Sequence, residues 1–149
     1  MKQALLSRLA RTRAGATAVE FALVAPALFL LTFGIIEFAR CFWTQEALEQ
    51  TAMSAARCMG ILNSNCASGG AYSSSNTQTY IANVAKGWGL TITTAEMTLN
   101  NAATCSGTSG FSQVTLTVTY DSAVPVLLPM LNGDTLTATA CFPNNPPIS

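Results

Sequence analysis

Near the start of the chain, an uncharged apolar run of 16 residues, 21–36, follows directly after Glu20, which itself lies five residues after Gly15. The apolar character extends over residues 16–39, and a helix of that length measures about 36 Å at 1.5 Å per residue. The hydrocarbon core of a bilayer is roughly 30 Å thick, so such a helix can cross it. A carboxylate at the edge of a membrane helix is costly and usually has a function. The sequence therefore predicts a transmembrane helix over residues 16–39, with Glu20 near one boundary and Glu37 near the other.

The charges of the chain are unevenly distributed, although its formal net charge is zero. Residues 1–15 contain no acid and four basic residues, Lys2, Arg8, Arg11 and Arg13. Basic residues before an apolar segment keep the N-terminus on the cytoplasmic side, so the remainder is predicted to be exported. We interpret residues 1–15 as a processing leader. The exported part is acidic, which argues against nucleic-acid binding. A cleaved signal peptide is the alternative, and the length of the apolar run disfavours it.

The chain has five cysteines, and four of them lie beyond the apolar helix: Cys58, Cys66, Cys105 and Cys141. A small exported domain buries little core and often relies on disulfides. Four cysteines permit three pairings, and we favour Cys58–Cys66 with Cys105–Cys141, each contributing roughly 2.5 to 4 kcal/mol through loop closure. Cys41 is interpreted as a passive buried thiol, with an intersubunit bridge as the alternative. Histidine and CxxC spacing are both absent, so no metal, redox site or cofactor is predicted.

The first helix is predicted to continue as an amphipathic helix over residues 40–61 and to stop near Gly60. Pro26 inside the membrane segment removes one backbone hydrogen bond, which predicts a kink or local loosening. Phe42 and Trp43 suit the headgroup layer. Apolar residues recur at steps of three and four along one face: Phe38, Cys41, Phe42, Leu48, Ala52, Ala55 and Met59.

Residues 62–142 are predicted to form a small α+β domain. A loop over 63–77 precedes a short helix with an apolar face formed by Ile81, Val84, Ala85 and Trp88. A strand follows at 90–92, then a turn near 94–96 and a second strand. Residues 111–120 and 136–142 alternate between apolar and threonine positions, as in an antiparallel sheet with one buried face. The long helix is expected to cover that face. Residues 143–149 are expected to be a flexible tail.

The leader ending in Gly15, the Glu20-Phe21 pair and the apolar helix resemble a type IV prepilin of the Flp, or tight-adherence, branch. Residues 15–40 (GATAVEFALVAPALFLLTFGIIEFAR) and 48–57 (LEQTAMSAAR) are similar to the TadE-like family of minor pseudopilins. A second acidic position near the end of the apolar helix, Glu37 followed by Arg40, strengthens this resemblance. The predicted strands after residue 57 fit it loosely. The resemblance implies a pilin-like fold, and a chain of this length resembles a minor subunit more than a major pilin.

The resemblance also implies roles for the residues around the start of the helix. A membrane-embedded prepilin peptidase is expected to cleave after Gly15 and leave Ala16 as the new N-terminus. Glu20, followed by Phe21, is expected to meet the free amine of a neighbouring subunit and fix axial register. The alternative is that Glu20 only marks the membrane boundary. Glu37 with Arg40 is either a recruitment contact or an ordinary helix pair.

The function expected from this resemblance is non-enzymatic: assembly or initiation of a Flp-type pilus for surface attachment and biofilm formation. The expected partners are the inner membrane, prepilin peptidase, major and minor Flp pilins and the pilus assembly platform, with no small-molecule substrate. The protein would span the inner membrane once, with a periplasmic C-terminal domain, and its entry into the pilus is left open. The alternative is an unprocessed, signal-anchored periplasmic binding module. Catalysis is disfavoured because histidine is absent and the acids are scattered.

Overall fold

The computed structural model describes residues 13–125 and 132–145. The leader residues 1–12, including Lys2, Arg8 and Arg11, lie outside the described residues. The elements in chain order are α1 (Arg13–Gly60), β1 (Ala67–Ser68), β2 (Ala71–Tyr72), α2 (Ser74–Gly87), a 3-10 turn (Thr94–Glu96), β3 (Met97–Cys105), β4 (Thr108–Tyr120) and β5 (Asp134–Pro143). This arrangement confirms the predicted α+β class, with a long N-terminal helix, a short second helix and small antiparallel sheets.

The chain divides into two compact units, Met1–Phe38 and Ala39–Ser149, and α1 contributes to both. In the described part of the first unit, α1 continues without interruption through Pro26. Its large apolar side chains are exposed: Val19, Phe21, Leu23, Val24, Leu28, Phe29, Leu30, Leu31, Phe33, Ile35, Ile36 and Phe38. By length and composition, α1 is the one helix among the described residues that could cross a membrane.

The core of the second unit forms where small residues of α1 allow close packing. Ala52, Ala55 and Ala56 are fully buried together with Leu48, and Met59 is almost completely buried. Around them pack Ile81 and Ala85 of α2 and apolar residues of the sheet, namely Met97, Val114, Leu116 and Ala138. The predicted apolar stripe therefore exists, but its burial begins near Ala47. Phe38 and Phe42, the other large apolar residues of the stripe, are exposed.

The main sheet has the order β3-β4-β5, and all pairs are antiparallel. Ser106 and Gly107 join β3 to β4 with φ values of 51° and 82°, as the primed two-residue hairpin turns require. The predicted alternation is present, because Val114, Leu116 and Tyr120 are buried. On the opposite face, the Thr115 and Thr139 hydroxyls lie 3.0 Å apart.

Two local predictions within the second unit differ from the structure. The loop expected over 63–77 contains the β1–β2 hairpin, and α2 already begins at Ser74 because the Ser73 hydroxyl accepts a bond from the Asn76 amide, 3.4 Å away. The strand expected at 90–92 is absent. Instead the Leu90 amide bonds the Ala85 carbonyl at 2.9 Å and closes the end of α2.

The turn expected near 94–96 is present as the 3-10 turn. The predicted flexible tail begins at Pro143, which the structure places at the end of β5. Beyond it, the Asn144 amide bonds the Gly110 carbonyl at 2.9 Å. The Asn144 side chain also donates to the Asn101 carbonyl at 2.9 Å. Residues 146–149 of the tail lie outside the described residues.

Both favoured disulfides are present. Cys58–Cys66 joins the last turns of α1 to the segment before β1, with Cα atoms 5.8 Å apart. Cys105–Cys141 joins the edge strands β3 and β5, with Cα atoms 6.5 Å apart. Cys58 and Cys66 belong to the buried core, whereas Cys141 is exposed. Two disulfides suit a small domain in an oxidising compartment.

Gly60 is a point of close approach between α1 and β5. A Cβ atom there would lie 2.7 Å from Phe142 Cδ1 and 2.8 Å from the Pro143 carbonyl oxygen. The Gly60 carbonyl also accepts a hydrogen bond from the Asn145 amide at 2.8 Å. Only glycine fits this contact without movement of the β5 backbone.

Gly60→Ala is therefore expected to destabilise the domain by about 1–3 kcal/mol, as overpacking does. Thermal unfolding of the full chain in detergent, followed by near-UV circular dichroism, measures this loss. Gly87→Ala is the matched control, because nothing lies within 4 Å of a Cβ atom at Gly87. We expect the control to melt at or slightly above the wild-type temperature. Equal melting of Gly60→Ala and wild type would contradict the close approach.

Candidate functional site

The predicted cleavage junction, Gly15–Ala16, lies in the first turns of α1 as the structure describes it. Gly15 is exposed. A peptide bond inside a helix has its carbonyl engaged by the amide four residues later, so a peptidase needs the helix to open locally. Glycine costs about 1 kcal/mol relative to alanine inside a helix. Gly15 thus makes local opening of the helix easier at the peptide bond where hydrolysis is expected.

Glu20 and Phe21 lie just after this junction, and both are exposed. Residues four apart share a helix face, so Glu20 lies one turn beyond Ala16 on the same side of α1. A chain that begins at Ala16 would place a free amine and a carboxylate about 6 Å apart along the helix axis. The same spacing lets the carboxylate of one subunit meet the amine of another that is displaced along its axis.

Apolar side chains surround Glu20 on α1. The exposed set given above covers several faces of the helix, and Phe29 and Phe33 form a ring contact at 6.2 Å between centroids. Apolar surface of this extent is unfavourable in water, with about 25 cal/mol for each Å² left exposed. This part of α1 could therefore cross a membrane, where lipid or other apolar helices would cover its surface.

The second acid of the apolar segment, Glu37, differs from Glu20 in its exposure to solvent. Glu37 is only 2% exposed, whereas Ile36 and Phe38 beside it are exposed. Arg40 is exposed. A carboxylate this deeply buried is not accessible to a second protein unless the chain rearranges. Glu20 is the acid of α1 that remains accessible in the membrane segment, and Glu37 is an internal position.

Cys41 is half-buried and belongs to neither disulfide. Sequence reasoning missed two contacts in the same region. The Gln45 amide nitrogen donates to the Thr137 carbonyl of β5 at 3.2 Å. Trp43 and Trp88 meet edge to face, with ring centroids 5.8 Å apart. No periodic signal connects these pairs, because they depend on how α2 and β5 pack beside α1.

A comparison with family models shows which protein family residues 15–57 of this chain resemble. Residues 15–57 match the model of the TadE-like protein family, which confirms the resemblance over less than a third of the chain. The matched segment starts at Gly15 and contains Glu20, Phe21, Glu37 and Arg40. The match associates the chain with Tad/Flp pilus systems. No curated protein and no solved structure matches the chain.

Proposed function

We propose that this protein is a minor pseudopilin that takes part in assembly or initiation of a Flp-type pilus, and that its role is non-enzymatic. The observation that carries the proposal is the TadE-like match, which begins at the glycine of the predicted junction and covers the exposed apolar part of α1. The absence of histidine from the sequence and the scatter of its acids agree with a structural role.

The first step of the proposed mechanism is release from the leader. Its four basic side chains hold the N-terminus at the cytoplasmic face, since moving each one to the centre of a bilayer costs about 2.5–3.5 kcal/mol. Cleavage after Gly15 by prepilin peptidase exchanges all of them for one α-amino group at Ala16. The inserted helix then becomes extractable along its axis.

The second step is exchange of lipid for protein around α1. The exposed apolar side chains of residues 19–36 pack as well against sibling helices as against acyl chains, so van der Waals contact and polar pairs decide the association. Glu20 supplies such a polar pair with the free amine of a neighbouring pilin. A pair of this kind contributes alignment more than net stability.

The third element of the proposal is the placement of the globular unit. The basic leader orients the chain with its N-terminus in the cytoplasm and its C-terminal unit in the periplasm. Two disulfides suit that oxidising compartment. The inner membrane, prepilin peptidase, the assembly platform and the other Flp pilins are its proposed partners, in service of surface attachment and biofilm formation.

N-terminal sequencing of the protein purified from its host tests the proposal. We expect the mature chain to begin at Ala16, and the chain from a strain without prepilin peptidase to begin at Met1. Intact-mass spectrometry of both samples gives the same answer independently. Recovery of an intact leader from bacteria with normal pili would overturn the proposal and favour an unprocessed periplasmic anchor.

A further inference from the structure

Two tryptophans that are distant in sequence form an exposed pair on the second unit. Trp43 of α1 is 58% exposed and Trp88, which caps α2, is 38% exposed, although their rings are in edge-to-face contact. Phe42, next to Trp43 in the sequence, is 71% exposed. Tryptophan side chains contribute large apolar area, and a core would normally bury them. This tryptophan pair (Trp43 and Trp88) is therefore available for contact with something outside the chain.

The fold holds Trp88 in this place through the path of α2. The start of α2 is fixed beside Cys66, whose carbonyl accepts a bond from the Thr77 hydroxyl at 3.4 Å, and Cys66 is disulfide-bonded to Cys58. The end of α2 lies beside Trp43, so α2 runs antiparallel to the second half of α1. Gly89, with a φ of 80°, then turns the chain away directly after Trp88. The exposed indole thus occupies a defined corner of the unit.

We propose that the tryptophan pair docks on the headgroup layer of the membrane, so that the globular unit contacts the bilayer through α2 as well as through α1. The proposal rests on the membrane anchoring in the proposed function. Trp43 lies four residues, or about 6 Å along a helix, beyond the predicted end of the membrane segment at Ala39. The headgroup region extends about 5–8 Å on each side of the hydrocarbon core. Tryptophan is enriched in that layer because its ring is apolar and its N–H can hydrogen-bond.

The charges near the tryptophan pair indicate which property of the membrane it recognises. Arg40 lies three residues before Trp43 and Lys86 two residues before Trp88, but Glu46 and Glu49 follow Trp43 on α1. This mixture gives no concentrated basic surface for anionic lipids. Contact through the indole rings is therefore expected to be independent of the anionic lipid content.

Depth-dependent fluorescence quenching tests this proposal on the full chain in phosphatidylcholine nanodiscs. Trp43→Phe leaves Trp88 as the single tryptophan. The matched control is the Trp43→Phe, Trp88→Phe, Tyr72→Trp variant, because Tyr72 of β2 pairs with Ala67, next to the disulfide of Cys66 with Cys58. Cys58 lies about 22 Å along α1 from Trp43. Lipid spin-labelled on its headgroup is the probe.

We expect the headgroup label to quench Trp88 at least about threefold more strongly than the control tryptophan, as for a ring in the interfacial layer. Quenching should stay the same when a third of the lipid is replaced by phosphatidylglycerol. Quenching of Trp88 no stronger than that of the control would overturn the proposal. Quenching that appears only with phosphatidylglycerol would also overturn it.

Failure of this proposal is distinguishable from failure of the proposed function. Loss of the protein from the nanodisc fraction would contradict membrane anchoring, whereas N-terminal sequencing tests the pseudopilin assignment. If Trp43→Phe does not fold, Trp43→Tyr keeps an aromatic ring at the contact and leaves Trp88 as the only tryptophan. Far-UV circular dichroism of each variant establishes that it is folded before quenching is measured.

Discussion

Gly15→Val is expected to abolish removal of residues 1–15 and, with it, the contribution of this protein to pilus formation. The branched side chain adds bulk directly beside the predicted scissile bond, which α1 includes in its first turns. In the proposed topology, an uncleaved chain would keep its four basic residues on the cytoplasmic side and could not leave the bilayer. Immunoblotting against the C-terminal unit should show only the longer form, and electron microscopy should show loss of pili.

Gly15→Ala separates the two physical contributions of the glycine. Alanine is the strongest helix former and adds only a methyl group, whereas valine adds bulk with a weaker helix propensity. If bulk decides cleavage, Gly15→Ala is processed and Gly15→Val is not. If local helix opening decides it, Gly15→Ala is cleaved more slowly than Gly15→Val. Normal cleavage of both variants would place the junction elsewhere.

Glu20→Ala is expected to be processed normally and to assemble poorly. If Glu20 pairs as proposed, removing its carboxylate would leave the amine of a neighbouring subunit unpaired among apolar helices, and loss of one partner from a buried pair costs about 3–5 kcal/mol. Crosslinking to other Flp pilins should therefore fall by about a hundredfold or more. Quantitative crosslinking in membranes, with an immunoblot for the cleaved form, measures both parts of this expectation.

Two further substitutions, Glu20→Gln and Glu46→Ala, test whether the charge of Glu20 is responsible for the loss of assembly. Glu20→Gln keeps the size of the side chain but replaces one acceptor oxygen with an NH2 donor and removes the charge, so it should assemble as poorly as Glu20→Ala. Glu46→Ala removes an exposed acid of α1 outside the membrane segment and should assemble as wild type. Wild-type piliation by Glu20→Ala would leave the register hypothesis without support.

Parts of the fold were predictable because a local pattern determines them. The threonine and apolar alternation over residues 111–120 placed β4 correctly, since side chains of a strand alternate between faces. The end of α1 at Gly60 followed from the loss of apolar periodicity and from the glycine itself. The two disulfides followed from the position of the cysteines after the membrane segment. The strand and the helix end depend on neighbours in sequence, whereas Cys105 and Cys141 are 36 residues apart.

Other features depend on packing between distant segments, and no local pattern could give them. Leu90 continues an apolar alternation, yet its amide closes the end of α2, so no strand forms there. Glu37 is almost completely buried, although glutamate side chains are usually exposed. At the candidate site, the spacing of Gly15 and Glu20 was visible in sequence. The meeting of Trp43 and Trp88 required the path of α2.

The threonine face of the sheet has a consequence for the proposed assembly with similar chains. Thr117 and Thr137 place their hydroxyls 3.5 Å apart, beside the closer pair formed by Thr115 and Thr139. Paired hydroxyls partly satisfy one another and carry no charge, so this face is wettable and offers little to an approaching sheet. In the proposed assembly, contacts between neighbouring subunits would therefore fall to the exposed apolar side chains of α1 and not to this face.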